Sequence, residues 1–194
     1  MRFAEKTRNT KETQITMSLE LDCQGCGSLD GSTGVGFFDH MLNSFCVHGG
    51  FRMKLAMKGD LEVDCHHTIE DCGIVLGSLY AEILGSRSGI ARFGDAYVPM
   101  DEALAHAAVD ISGREFLVMN ATFTAPMIGA YDTQMTREFF RALANNMGAT
   151  LHLNLLYGDN AHHATEALYK AAARAISAAC RTTEGGVLSA KGVL

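Results

Sequence analysis

Four of the eight histidines sit in two copies of one pattern, His66-His67-Thr68-Ile69-Glu70 and His162-His163-Ala164-Thr165-Glu166. On a helix the first His and the Glu fall at i and i+4, one turn apart on the same face, where both can bind one metal ion. The second His points about 100° away around the helix and must serve another ion. Two such helices facing each other would therefore make two metal sites. Each site would take a His/Glu pair from one helix and the lone His from the other. Near a helix N-terminus the dipole disfavours a protonated ring, so neutral imidazole, the ligand form, is expected.

The duplication reaches upstream of the tetrads. Laying His40-Met41-Leu42-Asn43-Ser44-Phe45 on Glu138-Phe139-Phe140-Arg141-Ala142-Leu143 brings Gly50 onto Gly148 and Met53–Met57 onto Leu151–Leu155, apolar on apolar. A potential ligand opens each copy, which marks an internal repeat. The ligand sets that follow are His40, His67, His162 and Glu166 for one ion, and His66, Glu70, Glu138 and His163 for the other. Imidazole nitrogen with one or two carboxylates suits Mn, Fe or Zn and leaves positions open for substrate. His48, His106 and His152 are solitary and read as packed or hydrogen-bonded residues instead.

The elements that must position these groups follow from periodicity. Arg2–Arg8 and Glu12–Leu21 read as strands, followed by a Gly-rich connection from Asp22 to Gly36. Phe37–His48 has helical spacing and stops at a glycine pair. Phe51–Met57 alternates as a half-buried strand, and the first tetrad opens a helix reaching Leu84. The second half repeats the plan: an extra strand near Phe93–Val98, strands Ala103–Ile111 and Glu115–Phe123, helix Thr133–Met147, strand Thr150–Tyr157 and helix Ala161–Cys180. This predicts an α+β fold of two ββαβα-like halves, residues 1–90 and 91–194 with a C-terminal tail, in one compact domain.

A formal charge of −6 disfavours nucleic acid as the main partner. No apolar run approaches membrane-spanning length, and the polar start is no signal peptide. The chain thus reads as cytoplasmic, with its six cysteines reduced. Cys23-Gln24-Gly25-Cys26 lacks the second pair that a zinc knuckle needs and reads as a hairpin loop carrying two thiols.

At these residues the chain closely resembles the imidazoleglycerol-phosphate dehydratase family of histidine biosynthesis. The resemblance spans nearly the whole sequence: Gly36-Phe37-Phe38-Asp39-His40-Met41-Leu42, both tetrads, Arg92-Phe93-Gly94-Asp95, Asp110-Ile111-Ser112-Gly113-Arg114 and Lys191-Gly192-Val193-Leu194. It implies a hydro-lyase with two Mn(II) per subunit that converts imidazoleglycerol phosphate to imidazoleacetol phosphate and water. It also implies a helical bundle between two four-stranded, mostly antiparallel sheets. Trimers building an octahedral 24-mer, with metals and active site at subunit contacts, are implied as well. Glu12 matches the family's acid/base glutamate, whereas sequence alone would read it as an exposed residue at a strand start. Arg92, Arg114, Lys170, Ser189 and Lys191 match its phosphate contacts. Three departures stand out: Glu138 where many members have His, Cys65 where Asp is usual, and Ala190 in place of a small hydroxyl residue.

The chemistry wants such a site. The C–H proton to be removed has no carbonyl beside it, so direct abstraction faces a high barrier. Metal coordination at one ring nitrogen acidifies the other, and an imidazolate can expel the neighbouring hydroxide through a diazafulvene-like intermediate. Two other classes share the ligands: a dinuclear metallohydrolase of a phosphorylated small molecule, and a non-catalytic cage assembled by metal.

Overall fold

The computed structural model describes residues 1–23 and 25–192. Gln24 and the last two positions of the Lys191–Leu194 motif lie outside the described residues. The first half runs β1 (Arg2–Asn9), β2 (Thr13–Leu21), β3 (Ser28–Ser32), α1 (Gly36–Gly49), β4 (Arg52–Gly59) and α2 (His66–Leu84). The second runs β5 (Phe93–Met100), β6 (Ala103–Asp110), β7 (Phe116–Asn120), the ribbon β8 (Met127–Ile128) and β9 (Tyr131–Asp132), α3 (Met135–Met147), β10 (Thr150–Tyr157) and α4 (Ala161–Cys180). The fold is α+β, with strand order β1-β2-β4-β3 in one sheet and β5-β6-β10-β7 in the other. In each sheet two pairings are antiparallel and the last, β3 on β4 or β7 on β10, is parallel.

The short ribbon β8–β9 is absent from the sequence reading, and two further elements differ from it. The Gly-rich connection contains β3, which the lack of apolar alternation in Ser28–Ser32 conceals. Gly31 permits it: a Cβ there would lie 1.8 Å from the Leu55 carbonyl oxygen, and φ is +131°. With β3 in place, β5 is no extra strand but the counterpart of β1.

The helices are exchanged between halves. α2 lies on β1 and β2 yet packs against α3, whereas α4 lies on β5, β6 and β10 yet packs against α1. Small residues allow the first of these approaches. A Cβ on Gly73 would lie 2.7 Å from the Phe139 carbonyl oxygen, and one on Gly77 would lie 2.5 Å from that of Leu143. Phe38, Tyr131, Phe139, Phe140 and Tyr169, all buried, interlock between the helices; Phe139 stacks on Tyr169 at 5.3 Å.

Cys23 and Cys26 are joined as a disulfide, so the reduced state expected of every thiol does not hold for this pair. Cys46, Cys65, Cys72 and Cys180 are free and buried. Among the solitary histidines, His106 stacks on Tyr97 at 4.3 Å, as expected of a packed ring. His48 and His152 are exposed, contrary to that expectation: His152 is on the open face of its sheet.

Candidate metal centre and active site

Local capping sets the start of each tetrad helix. The Asn160 side chain accepts from the backbone N–H groups of His162 (2.9 Å) and His163 (3.3 Å), an N-cap that satisfies two donors otherwise unpaired. At α2 the cap position is Cys65, which has no side-chain bond to give, and Asp64 accepts from the His66 N–H at 2.7 Å instead. The departure at Cys65 is thus compensated one residue earlier.

Each tetrad then does what its spacing implies. His66 Nε2 lies 3.3 Å from Glu70 Oε2, and His162 Nε2 lies 3.3 Å from Glu166 Oε2. The exchanged helices add a third ligand to the second pair and bring Glu138 to the first only by way of Arg141. His40, from α1, places Nε2 3.4 Å from the same Glu166 oxygen, so the ligand atoms of His40, His162 and Glu166 all fall within 4.8 Å of one another. Phe37 packs edge-on against the His162 ring at 4.9 Å and fixes its tilt. In the second cluster Glu138, from α3, meets Glu70 through Arg141, which contacts Glu70 at 3.3 Å and also touches Glu138.

Two nitrogens and one carboxylate oxygen converging on one point form a donor set that fits a first-row divalent ion. The Glu166 carboxyl is 8% exposed. Burial works to raise its pKa, but the Lys170 ammonium at 2.7 Å and the neighbouring His40 outweigh it and keep the group below the ordinary carboxylate value. It is therefore held ionised, the form a metal would require.

The second histidines turn away from both clusters within the chain, and the tetrad helices do not face each other as the sequence reading supposed. His67 bonds Asp60 through Nδ1 at 2.9 Å and points Nε2 toward Glu12 at 3.8 Å. His163 bonds Glu102 through Nδ1 at 2.7 Å, with Asp101 3.5 Å from its Nε2. These carboxylates reverse the expected effect of the helix terminus. Donation to Asp60 raises the His67 pKa, donation to Glu102 raises that of His163, and Glu102 is in turn pulled down to about 2. A carboxylate on Nδ1 also fixes the ring with Nε2 outward, the arrangement common behind metal-bound imidazoles.

Glu12 occupies the β1–β2 turn, 54% exposed. The turn is tied to α2 by buried Asp71, which accepts the Thr13 hydroxyl and both Nε and Nη2 of Arg8. The basic residues divide into two places. Lys170 belongs to the first cluster. Arg92 grips Asp110 at 2.7 Å and the Leu188 carbonyl, and exposed Arg114 stands 3.5 Å from the same carboxylate. That carbonyl draws the tail carrying Ser189 and Lys191 toward the two arginines, and Ser189 Oγ accepts from the Lys191 N–H.

Asp60, Glu102 and Arg141 escaped the sequence reading. Glu102 had a signal, since the β5–β6 turn is the counterpart of the turn bearing Glu12. Arg141 had another, at i+3 from Glu138. A third group of metal-binding types, Glu20 with Cys23 and Cys26, is engaged otherwise: the thiols bond each other and Glu20 pairs with Arg52 at 3.1 Å.

The imidazoleglycerol-phosphate dehydratase family model matches residues 33–176. An imidazoleglycerol-phosphate dehydratase from Methanosarcina mazei is 52% identical over 194 residues, covering all of both chains, and one from Ruminiclostridium cellulolyticum is 53% identical over 196 residues, again covering both fully. The crystal structure of the Staphylococcus aureus dehydratase superposes with a TM-score of 0.84 at 39% identity, covering 93% of this chain and 99% of that one. That from Pyrococcus furiosus, in complex with (S)-C348, gives 0.83 at 34% identity, covering 97% and 100%. With its motifs, its exchanged helices and its full-length relatives in agreement, the chain belongs to the imidazoleglycerol-phosphate dehydratase family.

Proposed function

We propose that the chain is a hydro-lyase that dehydrates imidazoleglycerol phosphate to imidazoleacetol phosphate in histidine biosynthesis, using two first-row divalent ions, Mn(II) foremost. The observation that carries the two-ion part is the gathered trio His40/His162/Glu166, together with its counterpart pair His66/Glu70, which Arg141 links to Glu138. Ions bound there would withdraw charge from the substrate imidazole and make its ring N–H a stronger acid.

The chain's own residues supply the rest. Glu12, exposed on a turn braced by Asp71, is the proton carrier between the substrate carbon and the departing hydroxyl. Arg92 and Arg114, with Ser189 and Lys191, take the phosphate; arginine forks match its oxygens and Lys191 adds point charge. Lys170 keeps Glu166 ionised and oriented.

His67 and His163 are the fourth ligands, and their outward Nε2 atoms support completion of each cluster by a neighbouring copy. This favours trimers building an octahedral homo-oligomer over a free monomer. Among the described residues no helix is long and apolar enough to cross a membrane, which agrees with a cytoplasmic location.

The test is an assay of the purified protein for imidazoleacetol phosphate, with metal content per chain and particle size followed before and after chelation. About two ions per chain are expected, with loss of activity and partial disassembly on chelation. Phosphate-ester hydrolysis without a dehydration product would favour the metallohydrolase. Assembly that needs metal while Glu12 can be replaced freely would favour the cage.

A further inference from the structure

The two clusters share one device. In each, the tetrad glutamate divides its oxygens, Oε2 toward an imidazole at 3.3 Å and Oε1 toward a cation. For Glu166 the cation is Lys170 at 2.7 Å, one turn along the same helix. For Glu70 it is Arg141 at 3.3 Å, reaching across from α3.

They differ at the third ligand. Where the first cluster has the imidazole of His40, the second has the carboxylate of Glu138, and with it one more negative charge. The Nη2 atom of Arg141 touches both Glu70 Oε1 and Glu138 Oε2. That Glu138 oxygen is buried and makes no well-formed hydrogen bond, so its charge is met by Arg141. A guanidinium nitrogen thus stands between two carboxylates that, on the two-ion reading, would hold one divalent ion. Lys170 has no such conflict, because its one carboxylate contact in the cluster is the Glu166 oxygen turned away from the histidines, its other partner being the Met100 sulfur.

We propose that Arg141 is the resident counter-ion of the second cluster, holding Glu70 and Glu138 together in the metal-free chain and turning outward when a divalent ion binds. It follows that this cluster is the weaker of the two and fills second. The proposal rests on the two-ion reading above. A guanidinium does not lose its proton at working pH, so it cannot be neutralised in place and must move. Its side chain is 50% exposed, which leaves solvent to turn into. Left in place, its charge would oppose the ion across a few ångströms.

Calorimetric titration of the chelator-stripped full chain with Mn(II) tests this, using wild type, Arg141→Gln, Arg141→Lys, and Arg141→Gln in a Glu138→His background; His162→Ala marks the step belonging to the first cluster. Wild type should show two unequal steps. Arg141→Gln should tighten the weaker step by about tenfold and leave the stronger unmoved. Lys should fall between, and the gain should shrink once Glu138 is His. A wild type that takes up no Mn(II) would sink the two-ion reading. Two wild-type steps with the weaker one unmoved or loosened by Arg141→Gln would sink the counter-ion role alone.

Discussion

Asp71, in the first turns of α2, accepts Arg8 Nη2 at 2.9 Å and so fastens the β1–β2 hairpin to the helix that begins with His66 and His67. The same carboxylate takes the Thr13 hydroxyl, next to Glu12. Asp71→Asn leaves a guanidinium poorly paired and loosens the hairpin, at about 2–4 kcal/mol of stability. The turnover number should fall about tenfold or more through misplacement of Glu12, with a smaller change in KM. Melting curves and steady-state kinetics read the two effects separately.

Glu12→Gln keeps the size and hydrogen bonding of the side chain but cannot take up a proton. Metal content and substrate affinity should stay near wild type, while turnover drops by about a hundredfold or more. Near-normal turnover would remove Glu12 from the proton path.

The close approach of α2 to α3 predicts that Gly77→Ala destabilises the fold by about 1–3 kcal/mol through overpacking against Leu143. Gly73→Ala, one turn nearer Glu70, should also move Glu138 and weaken binding at the second cluster. Chemical denaturation and metal titration of the two variants distinguish strain in the crossing from displacement of the ligand.

Bonds to Asp60 and Glu102 raise the pKa of His67 and His163, so each ring keeps its proton above the ordinary imidazole value. In the metal-free chain that pairing contributes fully below the unfolded value of about 6.5 and is lost as pH rises through the raised one. An ion must displace the same proton. Mn(II) affinity should therefore climb as pH rises through the raised value and then level off. Asp60→Asn should move the climb to lower pH; an unchanged profile would disconnect His67 from binding.

Thiol reactivity should be confined to one loop. Burial pushes Cys46 and Cys180 up to about 12 and raises Cys72 as well. After mild reduction, Cys23 and Cys26 should react with an aromatic disulfide reagent within minutes, and the buried thiols only on unfolding. Fast labelling of Cys46 or Cys180 in the native protein would contradict this.

The sequence carried the tetrad helices well, because period and cap signals agreed: α4 spans Ala161–Cys180 and β10 spans Thr150–Tyr157, as read from alternation and helix spacing. It concealed β3, whose Ser-Leu-Asp-Gly-Ser run is held by pairing with β4 and not by an apolar face. The chelating pairs were legible at i and i+4, since that geometry is local. The attachment of His40 to the second tetrad and of Glu138 to the first rests on the internal repeat and on the exchange of lone ligands between its copies. Periodicity does not say which helix packs on which. The partners of His67 and His163 were hidden for related reasons: Asp60 lies in the loop just before α2, outside any periodic element, and Glu102 arrives from a turn 61 residues away.

Because α1 leans on α4 and α3 on α2, neither half owns a complete trio of donors. A polypeptide severed between the end of α2 and the start of β5 would yield two pieces, each bearing chelating arms that fit only the other. A chain of half this length would have to trade helices with a twin before it could gather the same donors. Were an ion bound at His40, His162 and Glu166, its uptake would report that both ends of the chain have come home.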